Sequence, residues 1–403
     1  MGLNSLFDKL PLNHYIVLES IPVIDWLGIL EKVLNHYIVL ESIPVYSDNA
    51  KAVYEELLRR EYNKKYKIFW LNYNGECTKS TFGNIKNVCL LENSPKGNKV
   101  KQLLNRLKTS FVLHTAKVFV SGNNFFSKFR DEQINIHLAH GAALKNCSGH
   151  YTLPKDVDVA LTFSDYIAKY DAINYMCDES KLIPLGYPRN DELFGEKISI
   201  DGLFPNAKYN KIIYWMPTFR QHKNGKVTSS SIAFPIIYNQ EIARRINEYA
   251  LEKNVLLIVK PHFAQDVSKI TEMHLRNLEF IDNDFLKKNG IANYALLRTS
   301  DAMITDYSSV YYDYLLCDKP IGLCFDDYEE FVAHNGFTVD PDYIFSGGEK
   351  IYNTEDLLDF INNVSNETDY LKGQRNAIKD VVFKYCDNQS TKRVVDYIEG
   401  KLK

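Results

Sequence analysis

LNHYIVLESIPVYSDNAKAVYEELLRREY, residues 34–62, passes without a break from a β-branched and aromatic run, through Tyr-Ser-Asp-Asn, into apolar residues at helical spacing. That order reads as a strand, an N-cap and a helix. Its first half is duplicated, because LNHYIVLESIPV stands at Leu12–Val23 and again at Leu34–Val45, an offset of 22 residues. One pair of copies is not a solenoid, since stacked repeats need about three units to cover one another. The copy that leads into the helix is taken as the first core strand. Residues 1–33 are then an extra N-terminal segment, expected to pack on its own domain, with a membrane-contacting segment as the alternative.

Working outward, short apolar runs alternate with helical stretches: YKIFWL (66–71), NVCLL (87–91), KVFVSG (117–122), INIHLAH (134–140), DVALTFS (158–164) and KLIPLG (181–186). Continuous rather than alternating apolar runs belong to strands covered on both faces. A second series holds KIIYWMP (211–217), VLLIVKP (255–261), LEFI (278–281), AMITD (302–306) and PIGLCF (320–325). Two such series predict an α/β chain of two doubly wound, Rossmann-like domains facing across a cleft. Pro188, Gly195, Gly202 and Pro205 break the periodicity between them. The expected division is an N-terminal domain over 34–200 and a C-terminal domain over 201–403.

Composition narrows the function classes. A chain of 403 residues with 45% hydrophobic and 25% charged residues is neither disordered nor collagen-like. Its 48 basic and 51 acidic residues give a net charge of −3, so no whole-protein attraction to nucleic acid is expected. Seven cysteines without a C-x-x-C pair oppose a disulfide framework and a structural zinc site. There is no apolar run of about 18 residues, and Asp8 stands where a signal peptide is basic and then apolar, so a cytoplasmic protein is expected. One stretch departs from the charge balance. From Asn93 to Arg130 lie eight basic residues (Lys96, Lys99, Lys101, Arg106, Lys108, Lys117, Lys128 and Arg130) and no acidic one. Such a patch suits an anionic polymer or the anionic inner face of a membrane. Nucleic acid is not expected there, because no aromatic-interleaved basic motif accompanies it.

In doubly wound folds ligands sit beyond the C-terminal ends of the strands, and the chemistry-bearing residues cluster at those ends. INIHLA leads to His140-Gly141-Ala142-Ala143-Leu144-Lys145, an imidazole, a flexible glycine and a cation at one strand tip. Histidine is the side chain suited to proton transfer near neutrality, although a lone one is as readily structural, as expected of His137 inside the strand. VLLIVK ends in Lys260-Pro261-His262, and KIIYWM in Pro217-Thr218-Phe219-Arg220, a hydroxyl and a guanidinium fit for phosphate oxygens. AMIT ends in Thr305-Asp306-Tyr307-Ser308-Ser309 before the helical VYYDYLLCD. There Asp306 or the serines are expected to cap a helix whose free N–H groups favour phosphate.

HGAALK (140–145), LGYPRND (185–191), MPTFR (216–220), KPH (260–262) and TDYSSVYYDYLLCDKPI (305–321) occur in the order and spacing of one family. From about Val39 to about Tyr397 the sequence resembles the CDP-glycerol glycerophosphotransferases of teichoic-acid and capsule synthesis. The resemblance implies a GT-B-like fold and transfer of glycerol phosphate, or a related polyol phosphate, from a CDP-activated donor to a lipid-linked or polymeric glycan acceptor, with release of CMP. It implies a peripheral enzyme on the inner face of the cell membrane. It places the family's essential histidines on His140 and His262 and its donor-binding serines on Ser308 and Ser309. Thr218, Arg220, Lys260, Thr305 and Asp306 are expected on the donor, and Gly141 and Lys145 on acceptor or phosphate. His140 is the expected general base and His262 the group that stabilises the pyrophosphate or departing CMP. Arg220, Lys260 and the helix start at Ser308 would neutralise the diphosphate, so neither a cofactor nor a metal is expected. The chain departs from the family pattern at Ala139, usually Trp, and at Ala142-Ala143, usually Thr-Pro. Two alternatives stay open: a nucleotide-sugar-dependent glycosyltransferase of the same fold, and a binding-only family member.

Overall fold

The computed structural model describes residues 35–73, 77–92, 98–218, 234–261 and 272–403. The first LNHYIVLESIPV copy, Lys96, Arg220 and His262 lie outside them. Strand β1 (Asn35–Glu41) comes from the second copy and is central in a seven-stranded sheet of order β3-β2-β1-β4-β5-β6-β7. Its other members are β2 (Lys67–Asn72), β3 (Val88–Glu92), β4 (Ala116–Ser121), β5 (Ile134–His137), β6 (Val159–Leu161) and β7 (Leu182–Ile183). All neighbours run parallel, with Ile38 level with Ile68 on one side and Val118 on the other.

The unbroken apolar reading of β1 has a direct cause. Successive side chains of a strand point to opposite faces, and here both faces are covered. Ile38 and Leu40 pack in one cluster with Val53, Tyr54 and Leu57 of the helix Asp48–Arg59, while Val39 packs in another with Val112 and Leu113 of the helix Lys99–Thr115. Each fully buried aliphatic side chain contributes about 1.5–3 kcal/mol relative to exposure.

The second sheet has the order β10-β9-β8-β11-β12-β13 and is also all-parallel. It comprises β8 (Lys211–Trp215), β9 (Val255–Val259), β10 (Leu278–Phe280), β11 (Ala302–Thr305), β12 (Ile321–Cys324) and β13 (Glu349–Ile351). Eleven strands follow the apolar runs read from the sequence together with β1, and β13 does not. Its Glu349-Lys350-Ile351 is a three-residue edge strand in which only Ile351 is buried, so it shows no apolar run.

The two sheets share one core. Phe163 beside β6 packs against Tyr187, Tyr312 and Phe383 at centroid distances of 4.3, 6.3 and 4.5 Å. The last helix, Ser390–Leu402, returns to the first sheet's side. Asp396 there pairs with Arg60 at 2.6 Å, and Asp191 accepts the backbone N–H groups of Ser390 and Thr391 at 2.9 and 2.8 Å.

Candidate active site

Strand order reverses beside β1 in the first sheet, between β1 and β4, and beside β8 in the second, between β8 and β11. Crevices of doubly wound folds open at such points, beyond the C-terminal strand ends. The predicted residues lie there. His140 follows β5, Thr218 follows β8, Lys260 follows β9, and Thr305 through Ser309 end and follow β11. The two edges meet closely. A Cβ on Gly141 would lie 2.3 Å from Ser309 Oγ and 3.2 Å from Ser309 Cβ, so a side chain there would turn the Ser309 hydroxyl aside or push the loop after β5 away from the segment after β11.

The contact continues along the loop. Tyr312 OH donates to the Ala143 carbonyl at 3.1 Å, Thr338 N–H to the Leu144 carbonyl at 3.0 Å and Asn146 N–H to the Gly336 carbonyl at 3.1 Å. Lys145 therefore pairs as an antiparallel bridge with Phe337. Below the loop, buried Asp171 accepts Ala143 N–H at 2.7 Å and Thr162 OH at 2.6 Å. Burial pushes its carboxyl up to about 7 despite these two bonds. Ala142 and Ala143 are buried in this interface, which leaves little room for the bulkier family residues.

His140 is 67% exposed, and its Nδ1 stands 3.0 Å from Asp48 Oδ2. Asp48 opens the helix Asp48–Arg59. Arg189 Nη1 donates to Asp48 Oδ1 at 2.8 Å, to Oδ2 at 3.1 Å and to the His140 carbonyl at 2.6 Å, and its Nη2 donates to Asp313 Oδ2 at 3.1 Å. Asp313 lies on the helix Val310–Leu315 after the serine pair and also accepts from Asn190 Nδ2 at 2.9 Å and Tyr294 OH at 2.5 Å. Burial alone would raise the Asp48 carboxyl, but the Arg189 guanidinium and His140 outweigh it and hold the group well below the usual carboxylate range. His137 is the opposite case. It is buried, with Nδ1 3.0 Å from Ser121 Oγ, and burial followed by the charge of His140 lowers it to about 3.

On the second sheet the expected capping is corrected. Ser309 occupies the N-cap position with helical dihedrals and no side-chain cap bond, so neither serine caps the helix with its hydroxyl. Asp306 instead accepts Thr218 N–H at 3.0 and 2.9 Å, and Thr218 OH as well, because β8 and β11 are neighbours and their ends lie side by side. Thr305 Oγ1 donates to the Met216 carbonyl at 2.8 Å. Thr305 and Asp306 are thus buried and laced to β8, while Ser308 and Ser309 remain partly exposed. Lys260 is held through its backbone N–H to the Trp215 carbonyl at 2.8 Å, and burial lowers its ammonium pKa against the opposing charge of Asp282. The N-cap expected before the helix at Asp48 is also altered: Ser47 is extended there, but its hydroxyl turns back to the Pro44 carbonyl.

Sequence reasoning passed over Asp48, Arg189 and Asp313. Arg189 and Asp313 stand inside the quoted LGYPRND and TDYSSVYYDYLLCDKPI segments, and Asp48 inside the cap, so the signal was present as a motif without a role. The basic stretch is divided by the fold. Lys128 pairs with Asp158 at 2.5 Å, whereas Lys99, Lys101, Arg106 and Lys108 are exposed on the helix Lys99–Thr115. Among the described residues no helix is long and apolar enough to cross a membrane.

Known proteins resemble this layout. The solved wall teichoic acid polymerase TagF superposes with a TM-score of 0.64 at 19% identity, covering 93% of this chain and 90% of that one. The teichoic acid glycerol-phosphate primase of Bacillus subtilis is 25% identical over 384 residues, which covers 89% of this chain and 90% of the primase. The teichoic acid ribitol-phosphate polymerase TarL of Staphylococcus aureus is 29% identical over 230 residues, 55% of this chain but only 38% of the polymerase. The model of the CDP-glycerol:poly(glycerophosphate) glycerophosphotransferases matches residues 27–400, nearly the full length, and the chain belongs to that family.

Proposed function

We propose that this protein transfers glycerol phosphate or ribitol phosphate from a CDP-activated donor to a hydroxyl of a lipid-linked or polymeric glycan, releasing CMP. The observation that carries the reading is the approach of Gly141 to Ser309, which brings the loop bearing the exposed, carboxylate-paired His140 against the segment bearing the serine pair. In this reading His140 takes the proton of the acceptor hydroxyl. The oxygen then bonds the phosphorus nearer the polyol, the diphosphate P–O bond breaks, and its electron pair leaves on CMP. Ser308, Ser309 and Lys260 bind the diphosphate, with Arg220 and His262 joining them by sequence, while Thr218, Thr305 and Asp306 brace the strand ends beneath it. Gly141 and Lys145 face the acceptor side. We divide the chain for this purpose into residues 34–200 and 201–403. Purified protein is expected to release CMP from CDP-glycerol or CDP-ribitol when a lipid-linked glycan acceptor is present. UDP release from UDP-N-acetylglucosamine alone would contradict the reading.

The same proposal sets the protein on the inner face of the cell membrane. The helix Lys99–Thr115 exposes Val100, Leu103, Leu104 and Phe111 along one stripe, flanked by four exposed cations and no anion. That combination suits an anionic lipid surface. The helix follows β3 and returns to the start of β4, so its first turns lie at the end of the sheet where the crevice opens. Co-flotation with phosphatidylglycerol vesicles is expected, with loss in a Leu103→Glu/Leu104→Glu variant. Undiminished flotation of that variant would remove the helix from the account.

A further inference from the structure

The assignment of His140 as base leaves one question of tautomer: a base needs one ring nitrogen unprotonated and aimed by the other. Two groups face Nδ1. Asp48 Oδ2 lies at 3.0 Å and Asn123 Nδ2 at 3.3 Å. Asn123 Oδ1 already accepts the Ile43 N–H at 2.8 Å, so its amide N–H groups are what it turns to the ring. The amide favours a bare Nδ1 and the carboxylate a protonated one. The carboxylate contact is shorter and charge-assisted, and such bonds are about twice as strong as neutral ones. It therefore prevails, Nδ1 carries the proton, and Nε2 carries the lone pair.

The backbone around this contact is built to hold it. Asp48 has φ 57° and Ala139 φ 59°, both left-handed without being glycine. Strained residues of this kind persist only where the surroundings over-determine them. Here Asn49 Nδ2 clamps the Leu138 and Ala139 carbonyls at 3.3 and 3.0 Å, and its Oδ1 accepts Arg189 N–H at 3.0 Å.

We infer that Asp48 is a positioning residue for His140, fixing Nδ1–H so that Nε2 is the basic nitrogen, and that Arg189 steadies this carboxylate from Asp313 on the donor-side helix. The inference rests on the reading of His140 as base. The ionisable groups bearing on the ring are Asp48, Arg189 and, beneath it, His137.

Asp48→Asn keeps the shape and removes the charge. The acceptor-dependent kcat/KM of this variant is expected to fall about 10²-fold, with KM for CDP-glycerol unchanged. A purely structural lesion lowers the folded fraction and leaves the ring tautomer of the folded protein unchanged. The wild-type protein gives a second readout that needs no variant to fold. With ¹⁵N-labelled histidine, the neutral His140 ring is expected as the Nδ1–H tautomer. Wild-type kcat/KM in Asp48→Asn overturns the inference, as does an Nε2–H tautomer in the native protein. Full turnover by His140→Ala is a separate failure, because it removes the base itself.

Discussion

Alanine at His140 is expected to lower acceptor-dependent CMP release by about 10²–10⁴-fold, the range for a positioned general base, while thermal unfolding stays close to wild type. The two halves of this result come from one fact. The side chain is 67% exposed, so its truncation gives up little packing, and surface substitutions usually move stability by no more than about 0.5 kcal/mol. What is lost is the imidazole held against the Asp48 carboxylate. CDP-glycerol affinity should survive, because the donor contacts of the account lie beyond β8, β9 and β11. An alanine variant that unfolds at much lower temperature would instead give the ring a structural part, and the fall in rate would then carry no chemical meaning.

Alanine at Arg189 is expected to do the opposite and cost about 3–5 kcal/mol of stability. The guanidinium is 8% exposed and stands between two carboxylates, Asp48 at 15% and Asp313 at 1% exposure. Removing one member of a buried ion network leaves uncompensated charge, and the range for such losses is about 3–5 kcal/mol. The arrangement also needs the guanidinium shape. One nitrogen serves Asp48 and the His140 carbonyl while the other serves Asp313, a fork that a lysine ammonium does not reproduce. Arg189→Lys should therefore stay well below wild type in thermal unfolding. A wild-type melting temperature for Arg189→Lys would show that charge alone suffices there.

The strands were legible in the sequence because burial on both faces leaves nothing polar to interrupt them, as Ile38-Val39-Leu40 and Val255 through Val259 illustrate. Strand β13 was not, since Glu349 and Lys350 at an edge carry no such mark. His140 and the serine pair were legible because they follow apolar runs at strand tips. Asp48 and Arg189 were not, because their meaning arises across separations of 92 and 49 residues from His140 that only the strand order closes. Thr305 and Asp306 teach the same lesson in reverse. Read along the chain they are a hydroxyl and a cap at a helix start, yet the adjacency of β8 and β11 turns both sideways into strand-end bonds.

The most direct test of the proposed transfer follows the polyol phosphate itself. Purified protein is given CDP-[¹⁴C]glycerol and, in parallel, CDP-[¹⁴C]ribitol with a lipid-linked glycan acceptor, and label in the lipid product is compared with CMP formed. Acceptor-dependent incorporation is expected from at least one donor, with one CMP for each polyol phosphate transferred, and neither product from His140→Ala. Release of CMP without label in the acceptor, or equal incorporation by His140→Ala, would contradict the proposed transfer.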